Sequence, residues 1–276
     1  MEWNGLSGLV YGFFSGLFEF LPVSPQVHGQ VFLKIMGLGD AGYGLSMAVH
    51  LGALAAVIVS YYASISKLTR EQKIATQPKR NRKRQPDFVS LMKLRLLKIA
   101  AVPTVLSCLI TPWISQYVNR MWLVAIMTVL SGVVVLLPHY MTRANKDART
   151  LSPLDATLVG MGGILGAVPG FSRVGLFTSV ASMRGADREF ALEFTYLLMI
   201  PALAALCVAD LGMIIIAGTS ATVPFFAGVL ACAAAFGAGF AGIRFMRFLA
   251  VKVGYESLAY YTWGIAMFSF VLYLIG

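Results

Sequence analysis

The feature that most constrains this chain is a series of six long apolar segments, at residues 43–62, 97–115, 121–139, 190–217, 223–249 and 255–275. Each is about as long as the roughly 18 to 20 mostly uncharged residues that cross a bilayer as a helix. The sequence is 58% hydrophobic and only 12% charged, which is more apolar than a soluble core of 276 residues requires. We therefore expect an all-α polytopic membrane protein with about six transmembrane helices.

The basic residues give these helices an orientation. Half of the 22 lysines and arginines fall between Lys67 and Lys98, around the stretch "QPKRNRKRQPD". Basic residues concentrated between apolar segments mark the cytoplasmic side of a membrane protein. We therefore expect residues 63–96 to form a basic cytoplasmic loop. No aromatic stacking surface accompanies the charges, so no nucleic-acid partner is expected.

Two further apolar regions, 5–36 and 154–184, are broken in the middle by "LPVSPQVHG" and "VPGFSRVG". A single crossing in either region would upset the alternation of sides that the basic segments require. Irregular backbone at membrane depth is tolerated where protein or a wet cavity surrounds it. We therefore predict two re-entrant helical hairpins, the first entering from outside and the second from inside.

The two broken regions also resemble each other. Aligning Pro22 with Pro169 places "MGLGD" over "MRGAD", and a long apolar segment follows each. Opposite entry sides then make the pair an inverted-topology repeat, a plan whose sites lie where the broken elements meet. We predict one integral membrane domain, 1–276, with a first repeat region at 1–62 and a second at 154–217.

Chemically capable side chains gather at the two breaks. Ionisable groups inside a membrane are costly and usually face a cavity or a partner. Glu19 and Arg173 therefore either line a functional cavity or form an ion pair that pins the hairpins together. His28 is either an active group or a buried histidine with satisfied hydrogen bonds.

The local sequence at the breaks favours an anion site. Ser24 followed by Pro25 has the form of a helix start, and Ser172 followed by Arg173 offers a second one. Two helix N-termini directed at one cavity present amide donors and positive dipole ends. Arg173 adds a bidentate cation suited to phosphate, and the apolar surroundings favour a lipid phosphate. The predicted binding residues are Ser24, Gln26, Gly170, Ser172 and Arg173.

The stretches "GLFEFLPVSPQVHG" and "GAVPGFSRVG" resemble the paired motifs of the undecaprenyl-diphosphatase family, the bacitracin-resistance membrane enzymes, and "MAVHLGALAAVIV" and "EFTYLLMIPALAA" extend the similarity. The resemblance implies an inverted-repeat protein of the bacterial inner (cytoplasmic) membrane. It also implies removal of the terminal phosphate of undecaprenyl diphosphate, which regenerates the lipid carrier for cell-wall synthesis.

The resemblance implies catalytic roles for Glu19, His28 and Arg173. Arg173 would hold the diphosphate, while Glu19 and His28 would transfer protons or His28 would attack the phosphorus. A divalent cation, Mg²⁺ or Ca²⁺, is implied with Glu19 as a ligand, although nothing in the sequence alone indicates one.

The first motif departs from the family pattern. Ser15 replaces its first glutamate, Pro25 replaces the second serine of its "PVSS" run, and Gln26 and Val27 differ as well. The second motif also departs, with Val174 in place of a serine and Phe177 in place of a threonine. Because Pro25 has no hydroxyl, hydrolysis is less firmly predicted than lipid-phosphate binding. The alternative is a non-hydrolytic lipid-phosphate transporter, flippase or binding protein, since an inverted repeat with a midplane anion site is typical of transporters.

Other residues are weaker candidates. Ser15, His50 and Glu193 are predicted as lining of the cavity, with core packing as the alternative for His50. Alternatively, Glu193 and Asp210 each pair with a basic residue, or Asp210 reaches an interface. Small residues spaced along "VLACAAAFGAGFAG" indicate close helix packing or a homodimer interface.

Overall fold

The computed structural model describes residues 2–141, 145–217 and 223–275. Within these ranges the chain forms α-helices whose bounds are α1 Gly5–Glu19, α2 Pro25–Met36, α3 Gly42–Ser60, α4 Tyr62–Thr76, α5 Phe88–Val118, α6 Met121–Leu136, α7 Pro153–Gly166, α8 Arg173–Met183, α9 Arg188–Ala217, α10 Phe225–Lys252 and α11 Leu258–Ile275. Six helical stretches in the described ranges are long and apolar enough to cross a membrane, at 42–60, 88–118, 121–140, 188–217, 225–250 and 255–275. The prediction of a multi-pass, all-helical membrane protein is confirmed.

The basic segment 63–96 differs from the open loop that its charge suggested. Helix α4 occupies its first half, and α5 begins at Phe88 rather than near residue 97. The earlier start has a local cause, because the Asp87 carboxylate caps α5 by accepting a hydrogen bond from the amide of Val89 at 3.1 Å. The turn between the helices is fixed by Glu71, whose buried carboxylate accepts hydrogen bonds from the Arg84 guanidinium.

The two broken regions form helix pairs, α1 with α2 and α7 with α8. These helices contain 15, 12, 14 and 11 residues, each shorter than the roughly 20 residues needed for a crossing. Their lengths agree with re-entrant hairpins. Both second helices start as the sequence predicted, since Ser24 caps α2 ahead of Pro25 and Ser172 caps α8 ahead of Arg173.

Each hairpin packs in parallel against a long helix from the other half of the chain. Gly8, Gly12 and Gly16 on one face of α1 meet the backbone of α10 so closely that a side chain there would overlap it. Gly160 of α7 meets the backbone of α5 at Ala100 in the same way. Among the six candidate membrane spans of the described chain, α5 is the second and α10 the fifth, so the two helices run in opposite directions. The packing is therefore compatible with two hairpins that enter from opposite sides.

The remaining helix contacts are also symmetric between the two halves of the chain. Helix α3 packs on α9 and α10, α5 packs on α9, and α6 packs on α11. The same contacts result when each helix of the first half is exchanged for its counterpart in the second half. The counterparts are α1 with α7, α3 with α9, α5 with α10, and α6 with α11. The helix packing is therefore that of an inverted-topology repeat.

The small residues of α10 have an intramolecular role. Ala227, Ala231 and Ala235 face the α1 glycines, as small-residue spacing allows. Close packing within one chain is thus the observed use of this stripe, and the homodimer stays a prediction.

Candidate functional site

The tips of the two hairpins are joined to each other by hydrogen bonds. The Ser172 hydroxyl donates to the carbonyl of Leu21 at 2.9 Å. The amide of Gly170 donates to the Gln26 side-chain oxygen at 3.1 Å. From outside the hairpins, the Tyr196 hydroxyl of α9 donates to the carbonyl of Phe20 at 2.9 Å. These bonds satisfy non-helical backbone that would otherwise be costly at membrane depth.

A cavity of about 440 Å³ lies next to this junction. Its wall includes Tyr11, Ser15 and Glu19 of α1, which share one helix face because they are four residues apart. The ends of α3 and α5 that line it, at residues 42–50 and 111–119, are the ends remote from the basic segment. The cavity therefore lies on the side of the membrane domain opposite the basic segment.

Arg173 enters this cavity as an incompletely paired cation. Its side chain is 6% exposed, and one terminal amino group donates to the Thr111 hydroxyl at 3.2 Å. Its buried Nε has no hydrogen-bond partner, and no ion pair involves it among the residues the structure describes. A buried guanidinium without a counter-ion is costly unless a ligand supplies the negative charge.

Glu19 also lines the cavity and is buried. In the described part of the chain it forms no ion pair with Arg173, so the structure gives no support to a bond between them that pins the hairpins together. The cavity therefore holds a separate carboxylate and guanidinium, which can act on different parts of one ligand.

The structure separates the predicted binding residues into two groups. Gln26 and Arg173 line the cavity, as does Pro25 at the start of α2. Ser24 and Ser172 are buried caps whose hydroxyls accept hydrogen bonds from Val27 and Gly175. The caps stabilise the hairpin tips and lie outside the cavity wall. So does Gly170, whose φ of 105° fits glycine at this turn and whose amide is used by Gln26.

His28 lies on a different face of α2 from the cavity. Its Nδ1 donates to the carbonyl of Ser24 at 2.8 Å, since a carbonyl can only accept, and its Nε2 accepts from the Tyr261 hydroxyl at 2.9 Å. The ring also stacks on Phe18 with centroids 3.5 Å apart. Both nitrogens are engaged, so the structure matches the interpretation of His28 as a satisfied buried histidine and does not bring it to Glu19 and Arg173.

The cavity contains a hydrogen-bonded pair, His50 and Asp210, that was not predicted from the sequence. The Asp210 carboxylate accepts from His50 Nδ1 at 2.8 Å and from the Ser46 hydroxyl at 3.0 Å. All three residues line the cavity, as Ser15 does. The spacing of Ser46 and His50, four residues apart on one helix face, was a visible signal, but Asp210 comes from α9 and no local pattern connects them.

Glu193 belongs to the opposite side of the molecule. It accepts from Ser64 at 3.1 Å and pairs with Lys93 at 2.6 Å. It lines another cavity, of about 540 Å³, near Tyr61 and Arg247 at the C-terminal ends of α3 and α10. The expectation that Glu193 lines the same cavity as Glu19 is therefore corrected, because its position in the first turns of α9 places it near the basic segment.

The residues present fit a protein-bound metal poorly. Among the described residues no group of three or more His, Cys, Asp or Glu side chains is placed to hold an ion. In the cavity, Glu19 is a free carboxylate, whereas Asp210 is engaged by His50 and Ser46. A divalent cation that used Glu19 would need most of its oxygen ligands from elsewhere.

Comparisons with known proteins give one consistent result. The family model described as bacitracin resistance protein BacA matches residues 8–268. The chain is 28% identical to the undecaprenyl-diphosphatase of Carboxydothermus hydrogenoformans, over 99% of each chain. It is 28% identical to that of Renibacterium salmoninarum, over 100% of this chain and 98% of the relative. It is 32% identical to that of Mycobacterium ulcerans, over 85% of this chain and 84% of the relative.

Proposed function

The chain belongs to the bacitracin resistance protein BacA family, and from this we propose that it is an undecaprenyl-diphosphate phosphatase. It would release the terminal phosphate and regenerate the lipid monophosphate carrier used in cell-wall synthesis. The relatives that match nearly the whole chain bear the name undecaprenyl-diphosphatase. These names do not favour the non-hydrolytic transporter.

The observation that carries the proposal is the buried Arg173 in the cavity at the hairpin junction, which has no ion-pair partner among the described residues and whose Nε has no hydrogen-bond partner. Its guanidinium has free donors in the fork geometry that suits phosphate. It is also the first residue of α8, and Pro25 is the first residue of α2, so two helix N-termini lie at the junction. Their dipoles favour a diphosphate over a neutral lipid headgroup.

Phosphoryl transfer requires charge neutralisation together with a positioned nucleophile or water. Arg173 supplies the first, with Thr111 and Gln26 beside it for phosphate oxygens. Glu19 is placed for proton transfer in the same cavity. We retain Glu19 and Arg173 in catalytic roles and leave His28 out of them, because its ring nitrogens are occupied away from the cavity.

We further propose that the protein lies in the bacterial inner membrane and works on its outer leaflet. The cavity is at the helix ends remote from the basic segment, and that segment marks the cytoplasmic side. The diphosphate would enter from the outer interface while the prenyl chain remained among the lipids.

Phosphate release by the purified protein tests the proposal. Undecaprenyl diphosphate is supplied in detergent, once with EDTA and once with Mg²⁺ or Ca²⁺, to wild type and to Arg173→Ala. Arg149→Ala serves as the matched control, because that arginine is exposed and remote from the cavity. We expect release by wild type and Arg149→Ala only. Equal release by wild type and Arg173→Ala under every condition would reject the enzyme.

Restoring a hydroxyl at position 25 tests whether hydrolysis survives without it. Pro25 lines the cavity at the first position of α2, so a serine there would face the same space. If the family's serine assists the reaction, Pro25→Ser should release phosphate faster than wild type. Release that appears only in Pro25→Ser would show that the native chain binds the lipid without hydrolysing it.

A further inference from the structure

A buried histidine–aspartate pair faces the same cavity as Arg173. Asp210 of α9 is 4% exposed and its Oδ2 accepts from both His50 and Ser46. We propose that His50 is the general base that activates water for attack on the terminal phosphate, and that Asp210 is its positioning residue. This inference rests on the proposed phosphatase function and assigns a role within it.

Asp210 determines which histidine nitrogen can act. A carboxylate accepts a hydrogen from Nδ1, so the neutral ring carries its proton there and leaves Nε2 as the acceptor. In the described part of the chain Nε2 of His50 has no hydrogen-bond partner. His28 is different, because Tyr261 occupies its Nε2.

The arrangement repeats a general catalytic pattern in which an acceptor nitrogen is oriented by a buried carboxylate on the other side of the ring. Ser46 adds a second hydrogen bond that fixes the Asp210 carboxylate, at 3.0 Å. Glu19 and Arg173 are the other charged residues of the cavity near His50. A diphosphate held by Arg173 would therefore lie within a space that His50 also lines.

The step balances without another reactant. Water oxygen forms a bond to the terminal phosphorus as the bond from that phosphorus to the bridging oxygen breaks. The water proton passes to Nε2 of His50, and the leaving lipid monophosphate takes the bridging oxygen with its electron pair. Arg173 neutralises the charge that develops, and His50 then returns its proton to the solvent or to phosphate.

This assignment explains how the chain can lack a hydroxyl at position 25. Pro25 offers neither a nucleophile nor a proton donor, but water activated by His50 needs no side-chain nucleophile. The base comes from α3 and its positioning residue from α9, so both lie outside the first motif, to which Glu19 belongs.

The three histidines of the chain provide a matched experiment. Phosphate release from undecaprenyl diphosphate is measured for His50→Gln, His28→Gln and His139→Gln, the last being an exposed control. His50→Gln should lower kcat by about 10² to 10⁴ with KM nearly unchanged. His139→Gln should match wild type, and His28→Gln should lower thermal stability more than kcat.

Two further variants separate proton transfer from structural support. Added imidazole should restore activity to His50→Ala, because it can occupy the vacated space and accept the proton. Asp210→Asn should lower kcat by about tenfold or more, because it no longer selects the tautomer. Neither effect requires His50→Gln itself to be stable.

The outcomes distinguish this inference from the proposed function. Wild-type hydrolysis with unchanged kcat in His50→Gln, or with no imidazole rescue of a folded His50→Ala, would overturn the role of His50 and leave the phosphatase intact. Absence of phosphate release by wild type would overturn both.

Discussion

Replacing Ser172 by alanine tests the bond that holds the hairpin tips together. Its hydroxyl caps α8 by accepting from the amide of Gly175 at 3.1 Å and simultaneously donates to the carbonyl of Leu21 at 2.9 Å. Ser24 is the matched position in the other hairpin. Its hydroxyl accepts from the amide of Val27 at 3.4 Å, and no hydrogen bond donated by it is found in the described chain.

The expected magnitudes follow from these bonds. Loss of a serine N-cap costs about 1 kcal/mol. Ser172→Ala also leaves the Leu21 carbonyl buried without its donor, which adds about 1 to 3 kcal/mol. Ser172→Ala should therefore destabilise the protein by about 2 to 4 kcal/mol, and Ser24→Ala by about 1 kcal/mol.

Reversible unfolding in mixed micelles of increasing SDS content measures this difference, with melting temperature in detergent as a second readout. The result that would refute the reasoning is equal destabilisation by the two variants. In that case the bond between the hairpins would contribute nothing beyond the cap.

Three other predictions concern different parts of the molecule. Arg173→Lys should reduce kcat/KM for undecaprenyl diphosphate by about tenfold or more, because lysine keeps the charge but loses the bidentate fork; an unchanged value in the phosphate-release assay would contradict this role. Gly12→Ala should destabilise the protein by about 1 to 3 kcal/mol because its Cβ would overlap the Ala231 backbone, whereas Gly237→Ala, with open space around it, should be neutral or stabilising by unfolding in SDS. Hydrogen bonds from the Arg84 side chain, then from the Asp87 amide, lower the pKa of Glu71 from 4.5 to about 2, so protection of the 71–87 turn should be complete above pH 4.5 and lost as the pH falls toward 2. Hydrogen exchange corrected for its intrinsic pH dependence measures this loss, and Glu71→Gln should remove the dependence; a turn equally protected at pH 3 and pH 6 in wild type would disprove it.

Much of the fold could be predicted because its signals are local. Apolar length gave the crossings, and Ser24 with Pro25 and Ser172 with Arg173 marked the two helix starts where the structure has them. The start of α5 was missed because Asp87 caps it within a basic stretch that resembles a loop. Charge density indicates the side of the membrane but does not prevent helix formation.

The candidate site was harder to predict because its residues meet through tertiary packing. Gln26 and His28 are two residues apart, so on a helix they point about 200° apart. Since Gln26 faces the cavity next to Pro25, His28 cannot. The sequence alone did not show which face of α2 lies toward the cavity. His50 and Asp210 are hydrogen-bonded but lie on different helices, 160 residues apart in the sequence. Spacing within a single helix therefore cannot predict their contact.

The cross-packing of the hairpins also sets an order of assembly. Helix α1 leaves the ribosome early, but its glycine face is complementary to α10, which follows about 220 residues later. At 5 to 20 residues per second this is a delay of roughly 10 to 40 s. During that time Glu19 lacks the cavity residues that the later helices supply. The protein therefore completes its site only near the end of synthesis, when helices of the second half pack against those of the first.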